Sequence, residues 1–166
     1  MRMKGFSMVE ALVALVIVAV GLLGVGQLTL TALRENAAAL TRTRAIYLLS
    51  DMMERIRANP DAEDAYDCAS YAAAPAEHGC APSGAPARPC TARELAEDDL
   101  AHWQALARDA LPLIGTGSCA ANVVYLAATS DSEAARYRVE LAWAERGSDA
   151  PVTLSGELAL AGGRST

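Results

Sequence analysis

The sequence predicts an α+β fold. A long N-terminal helix, apolar and then amphipathic, packs on a small antiparallel sheet, with a disulfide-rich loop region and a second helix between them. Three observations carry this prediction. No residue from Ala11 to Leu33 is charged, and no proline precedes Pro60. The stretch 60–90 has no sustained period and holds Cys68, Cys80 and Cys90. Beyond residue 120, apolar and polar residues alternate, which is the period of a half-buried strand.

The uncharged run is most apolar from Ala11 to Val25, with Gln27, Thr29 and Thr31 softening its far end. As a helix rising ~1.5 Å per residue it spans roughly 30 Å or a little more, enough to cross a bilayer. Arg2 and Lys4 precede it. The positive-inside bias therefore places the N-terminus in the cytoplasm and everything after Leu33 outside the inner membrane. In a Gram-negative cell that outside is the oxidising periplasm.

Helical spacing continues beyond the run. Ile46, Leu49, Met53 and Ile56 recur at steps of three and four, flanked by Leu48 and Met52. Asp51 and Arg55 stand four apart, a favourable helix pair. Asn59-Pro60 closes the helix, because the residue before proline avoids the α region. The result is one helix of about 50 residues, ~75–80 Å long.

The four cysteines, Cys68, Cys80, Cys90 and Cys119, read as two disulfides in an oxidising compartment. Four cysteines allow three pairings, and the sequence does not choose among them. Cys68–Cys80 with Cys90–Cys119 keeps the loops local. A zinc set built from His78, Cys80, Cys90 and His102 matches no common spacing, so no metal and no cofactor is expected.

Thr91-Ala92-Arg93-Glu94 has the pattern of a capping box opening a second helix. Leu100, Trp103, Ala107 and Ala110 share one face of that helix, and Pro112 follows its end. Asp98 or Asp99 with His102 has the spacing of an acid/base pair. No Ser or Cys nucleophile stands beside it, and solvated helix surface explains these residues more simply. Three strands follow, over 122–127, around Tyr137–Trp143, and from Val152 to Leu160. Gly147-Ser148-Asp149 marks a hairpin between the last two.

Function classes narrow accordingly. The chain has 166 residues, a formal net charge of -6 and a pI near 4.9. That charge gives no basic footprint for a nucleic acid. A membrane-tethered periplasmic enzyme lacks a nucleophile, metal cluster or phosphate loop in this sequence.

Glu10 poses the sharper question, since it enters the apolar run as a lone carboxylate. Burial without a partner costs on the order of several kcal/mol. A cleaved secretory signal, with Ala37-Ala38-Ala39 as the small-residue site, leaves Glu10 interrupting the apolar entry. A plain anchor gives Gly5 and Glu10 no role.

Gly5-Phe6-Ser7-Met8-Val9-Glu10 resembles the signal of type IV pilins: a short basic leader, Gly, an apolar aromatic, and Glu as the fifth mature residue. VGLLGVGQL, the Arg42/Ala45/Leu48 spacing and the Arg-Ala-Asn-Pro ending at Pro60 resemble the type IV pilus modification protein PilV family of minor pilins. The stretch DDLAHWQALARDALPLIGTGS is similar to that family's middle region. The resemblance is specific over 5–60 and weaker beyond.

It implies a type IV pilin-like fold and a minor pilin at work in pilus initiation and fibre biogenesis, with tip location, motility and adhesion left open. A minor pseudopilin of type II secretion is the alternative. It implies a prepilin peptidase that cuts between Gly5 and Phe6 and methylates the new amine on Phe6. Residues 1–5 become the leader, 6–33 the transmembrane and assembly half of the helix, and 34–166 the periplasmic domain. Glu10 then pairs with the Phe6 amine of a neighbouring subunit. The implied partners are other minor pilins, the major pilin and the inner membrane, which the chain crosses once before entering the fibre.

Overall fold

A computed structural model describes residues 7–80, 89–115, 119–129, 134–145 and 147–160. Gly5 and Phe6 lie outside the described residues. The chain divides into two compact units, residues 1–40 and 41–166. The first helix, α1 (Met8–Ala58), supplies all the described structure of the first unit and opens the second.

α1 ends where Asn59-Pro60 was expected to end it. Arg55 and Arg57 lie in its last turn, where cations offset the exposed carbonyl ends. Two short 3-10 turns follow, at Pro60–Ala62 and Cys68–Ser70. The second helix, α2 (Ala92–Ala110), opens with the predicted capping box. Thr91 Oγ1 accepts from the Glu94 amide at 3.2 Å, and Glu94 Oε2 accepts from the Thr91 amide at 2.9 Å.

Strands β1 (Asn122–Leu126), β2 (Arg136–Trp143) and β3 (Val152–Ala159) form an antiparallel meander in chain order. The pairing sets one apolar face. Val123 and Tyr125 lie opposite Val139 and Tyr137, and Tyr137, Val139, Leu141 and Trp143 lie opposite Leu158, Gly156, Leu154 and Val152. The other face carries Arg138, whose guanidinium donates to Glu157 at 2.7 and 2.9 Å across the β2–β3 ladder. Gly147, with φ +92°, makes the turn between those strands, where a side chain would strain the backbone. Residues 112–114 extend the sheet edge beyond β1. The Ile114 amide donates to Ala142 O at 3.1 Å and the Ala144 amide to Pro112 O at 3.0 Å.

The core of the second unit lies between the helices and this sheet. Its largest buried side chains include Trp103, Trp143, Tyr66, Tyr137, Met52 and Ile56. The buried positions of α1 are Ala45, Leu48, Met52 and Ile56. This corrects the expected stripe. Leu49 and Met53 are partly buried beside it, while Ile46 is 54% exposed. Two contacts set the rotation. The Trp103 indole donates to Leu48 O at 2.9 Å. Gly156 lies so near Leu49 and Met53 that a Cβ there would meet the Met53 methyl at 2.4 Å. Of the spacing noted at Arg42/Ala45/Leu48, Ala45 and Leu48 enter the core. Arg42 reaches Glu145 at 3.0 Å.

The disulfides are Cys68–Cys119 and Cys80–Cys90, with Cα separations of 6.0 and 5.9 Å. The local pairing expected from the sequence is not formed. Cys68 lies in the second 3-10 turn, whose chain neighbourhood meets the approach to β1. Gln104 explains that approach: its side chain accepts from the Ala121 amide at 3.1 Å and donates to Ala121 O, pairing with the backbone as a strand would.

Candidate functional site

The first unit carries the candidate site, the opening of α1. Ser7 O accepts from the amides of Glu10 and Ala11 at 3.0 and 3.2 Å, closing the first turn. Glu10 lies in that turn, where a carboxylate is favoured by the exposed amide ends. No ion pair to Glu10 exists among the described residues. The apolar side chains around and beyond Glu10 are exposed in an unbroken series from Met8 at 85% to Leu33 at 60%. The most apolar part of α1 has a mean hydropathy of 2.7 and none of it is buried. By length and composition α1 contains a segment able to cross a membrane.

The two threonines at the far end suit the same setting. Thr29 Oγ1 donates to Val25 O at 2.9 Å and Thr31 Oγ1 to Gln27 O at 3.1 Å. Each hydroxyl proton is thus satisfied within the helix and needs no water. Gly21, Gly24 and Gly26 have open space around them. Added side chains there would meet nothing in this chain.

The carboxylates of α2 do different work from that expected. Asp99 is held between Arg55 Nη1 at 2.7 Å and the Tyr66 hydroxyl, which donates to it at 2.9 Å. Asp98 is buried, and its Oδ1 accepts from the amides of His78 and Gly79 at 2.6 and 2.9 Å. Neither is solvated surface, which corrects the sequence reading. His102 is exposed. His78 turns its ring to Glu97 Oε2 at 2.7 Å. Cys80 and Cys90 are joined to each other, which removes both thiolates from any metal set.

Burial opposes the charge on Arg55, but its bonds to Asp51 and Asp99 hold its pKa above the ordinary value. Burial pushes the Tyr66 and Tyr137 phenols well above the usual tyrosine range, and that of Tyr71 up as well. Tyr66 also receives a bond from Asn59 Nδ2 at 3.3 Å, and its amide donates to the Tyr137 hydroxyl at 3.3 Å.

Sequence reasoning did not single out Tyr66 or Gln104, and it read Asn59 only as the end of the first helix. Only Gln104 left a signal. It follows Leu100 by four and precedes Ala107 by three, a polar residue at core spacing. Asn59 and Tyr66 bond to each other, and their further partners include Ala92, Asp99 and Tyr137 from distant segments.

Two family models match the chain. Residues 1–26 match the prokaryotic N-terminal methylation motif. Residues 27–101 match the Tt1218-like model, described as type IV pilin Tt1218. The matches support a type IV pilin. No curated protein and no solved structure gives a significant match.

The two matches meet within α1. The methylation motif takes in Gly5, Phe6, Glu10 and the most apolar part of the run. The pilin model takes in the rest of α1, the 60–90 region and half of α2, and stops before the sheet. The long helix, the three-stranded antiparallel sheet, the second helix and the disulfides are consistent with the pilin fold. The methylation motif and the apolar segment of α1 together fit a membrane-anchored stage. Pilins are a structural family.

Proposed function

We propose that this chain is a minor pilin of the PilV kind, acting in the initiation and biogenesis of a type IV pilus. The observation that carries the reading is the opening of α1. A carboxylate stands at the head of an apolar helix segment that is exposed throughout, within a matched methylation motif. The ending at Asn59-Pro60 and the DDLAHWQALARDALPLIGTGS stretch support the PilV assignment by resemblance.

On this reading residues 1–5 are a leader removed by a prepilin peptidase after Gly5. Glycine there leaves the protease room at the backbone. The Phe6 amine is methylated and remains a cation. Residues 6–33 cross the inner membrane with the N-terminus cytoplasmic, and 34–166 form the periplasmic domain. In an apolar bundle Glu10 meets the Phe6 amine of a neighbouring subunit. The pair offsets part of the desolvation of both charges and sets the axial register between subunits. The work of the chain is assembly, with the major pilin and other minor pilins as partners, and no chemical step.

Mass spectrometry of the membrane form tests the processing. The expected chain begins at N-methylated Phe6, and Gly5→Leu leaves the precursor uncut. A mature start after Ala39 makes the segment a secretory signal and overturns the reading. Recovery of the processed chain in sheared pili supports the pilus. Its absence there, with loss of protein export on deletion, identifies a pseudopilin of type II secretion.

A further inference from the structure

Both partners of the Cys80–Cys90 bond are placed by the same two turns of α2. Cys90 immediately precedes Thr91, whose capping box fixes the helix start. Cys80 follows Gly79, which takes φ +71°. The amides of His78 and Gly79 both donate to Asp98 Oδ1, and the His78 ring meets Glu97 Oε2. Asp98 is only 7% exposed, so its bonds operate with little competition from water. The segment around 71–80 has no regular secondary structure, and most of its residues are exposed. Cys80 itself is buried, outside the main core cluster.

We propose that Asp98, seconded by Glu97, is a positioning residue for the Cys80–Cys90 disulfide, and that carboxylate and disulfide form one coupled latch. The coupling follows from effective concentration. In the reduced protein, bond closure requires Cys80 to reach Cys90. Asp98 holds the residues before Cys80 against the helix whose start holds Cys90. The latch therefore raises the concentration of one thiol at the other and makes the bond harder to reduce. Linkage makes the effect reciprocal: a closed disulfide strengthens the hold of Asp98 on the His78 and Gly79 amides by the same factor.

The second disulfide is an internal reference. Cys68 and Cys119 are both buried and lie at the Gln104–Ala121 pairing rather than at Asp98. Loss of the latch should leave that bond unchanged.

The test uses the full chain in detergent micelles, equilibrated with glutathione. One glutathione thiolate attacks a sulfur of the disulfide and forms a mixed disulfide. A second displaces it as glutathione disulfide, and Cys80 and Cys90 take up protons as thiols. Alkylation followed by peptide mass spectrometry reads each bond separately. Asp98→Ala is expected to make Cys80–Cys90 about tenfold easier to reduce, a shift of about 30 mV, with Cys68–Cys119 unmoved. Asp98→Asn keeps an acceptor oxygen and should recover most of the loss. A wild-type value for Cys80–Cys90 in Asp98→Ala overturns the proposal. So does an equal shift of both bonds, which would mark Asp98 as a general stability residue.

Hydrogen exchange gives a reading that does not depend on the Asp98 variant folding. In a Cys80→Ser, Cys90→Ser chain the His78 and Gly79 amides should exchange about tenfold faster, by the reciprocity of the coupling. Unchanged exchange of both amides would separate the latch from the disulfide and overturn the proposal.

Discussion

Glu10→Gln separates charge from shape. The substitution keeps the size of the side chain and its hydrogen-bonding capacity, and removes only the charge. The uncharged run after residue 10 is long enough to insert without it, so the variant should reach the membrane and still be cut after Gly5. It should be reduced at least about tenfold in sheared fibres, because an amine left unpaired in an apolar bundle weakens the interface by several kcal/mol. Quantitative mass spectrometry of the fibre fraction measures this. Equal incorporation would show that charge pairing is not what Glu10 supplies, leaving peptidase recognition or a hydrogen bond alone.

Tyr66 and Tyr137 make a prediction about alkaline pH. Both phenols are buried, and burial raises both above their ordinary value. The folded state therefore keeps its phenolic protons to higher pH than the unfolded state. Below the unfolded pKa, near 10, both states are protonated and the contribution is fully present. As pH rises past that point toward the folded pKa values, the unfolded state loses protons first and stability falls. The decline should approach about 1.4 kcal/mol per pH unit for each phenol. Urea midpoints measured from pH 8 to pH 11.5 should be flat and then drop. In Tyr137→Phe the drop should be shallower.

At the scale of elements, the two disulfides differ in what they join. Cys68–Cys119 links the second 3-10 turn to the approach to β1 across a separation of 51 residues, and Cys80–Cys90 spans a separation of 10. On the chain-entropy account these correspond to about 4 and about 3 kcal/mol, with the mechanism model-dependent. Replacing Cys68 and Cys119 by Ala should lower the urea midpoint more than replacing Cys80 and Cys90. The first pair also lies beside Gln104 and Ala121, where the sheet meets α2, so its loss should increase amide exchange in β1 as well. The smaller effect of the second pair should be confined to residues 71–80 and the start of α2.

The whole molecule divides by solvent preference. The most apolar segment of α1 is unburied, whereas the second unit has its own core of two tryptophans, two tyrosines and the inner face of a sheet. Residues 1–33 contribute exposed apolar side chains and none of the buried residues of that core. A chain beginning at Arg34 should stay in solution without detergent and melt within about 2 °C of the full chain in micelles. The full chain should partition into the detergent phase. A large loss of melting temperature in the shortened chain would show that residues 1–33 support the fold as well as anchor it.

Much of this protein was decided by neighbours in sequence. The end of α1 at Asn59-Pro60, the capping box at Thr91 and Glu94, and the turn at Gly147 follow from rules that act within a few residues. So do the alternation along β2 and the uncharged run. The opening motif around Glu10 is equally local, which is why the candidate site was legible before the fold. Other features depended on which distant segments meet. The face of α1 that enters the core was set by Trp103 and Gly156, and its own periodicity left a choice of neighbouring stripes. Cysteine pairing followed the meeting of the second 3-10 turn with the approach to β1, which accepts one long loop, Cys68–Cys119, beside the short Cys80–Cys90 one. Asp98 and Asp99 read as solvated helix surface until His78, Gly79, Arg55 and Tyr66 arrived to bind them. Backbone propensity and side-chain period are short-range properties that a sequence states directly. Partner choice for a thiol, a carboxylate or one face of a helix is a property of space, and only the tertiary structure decides it.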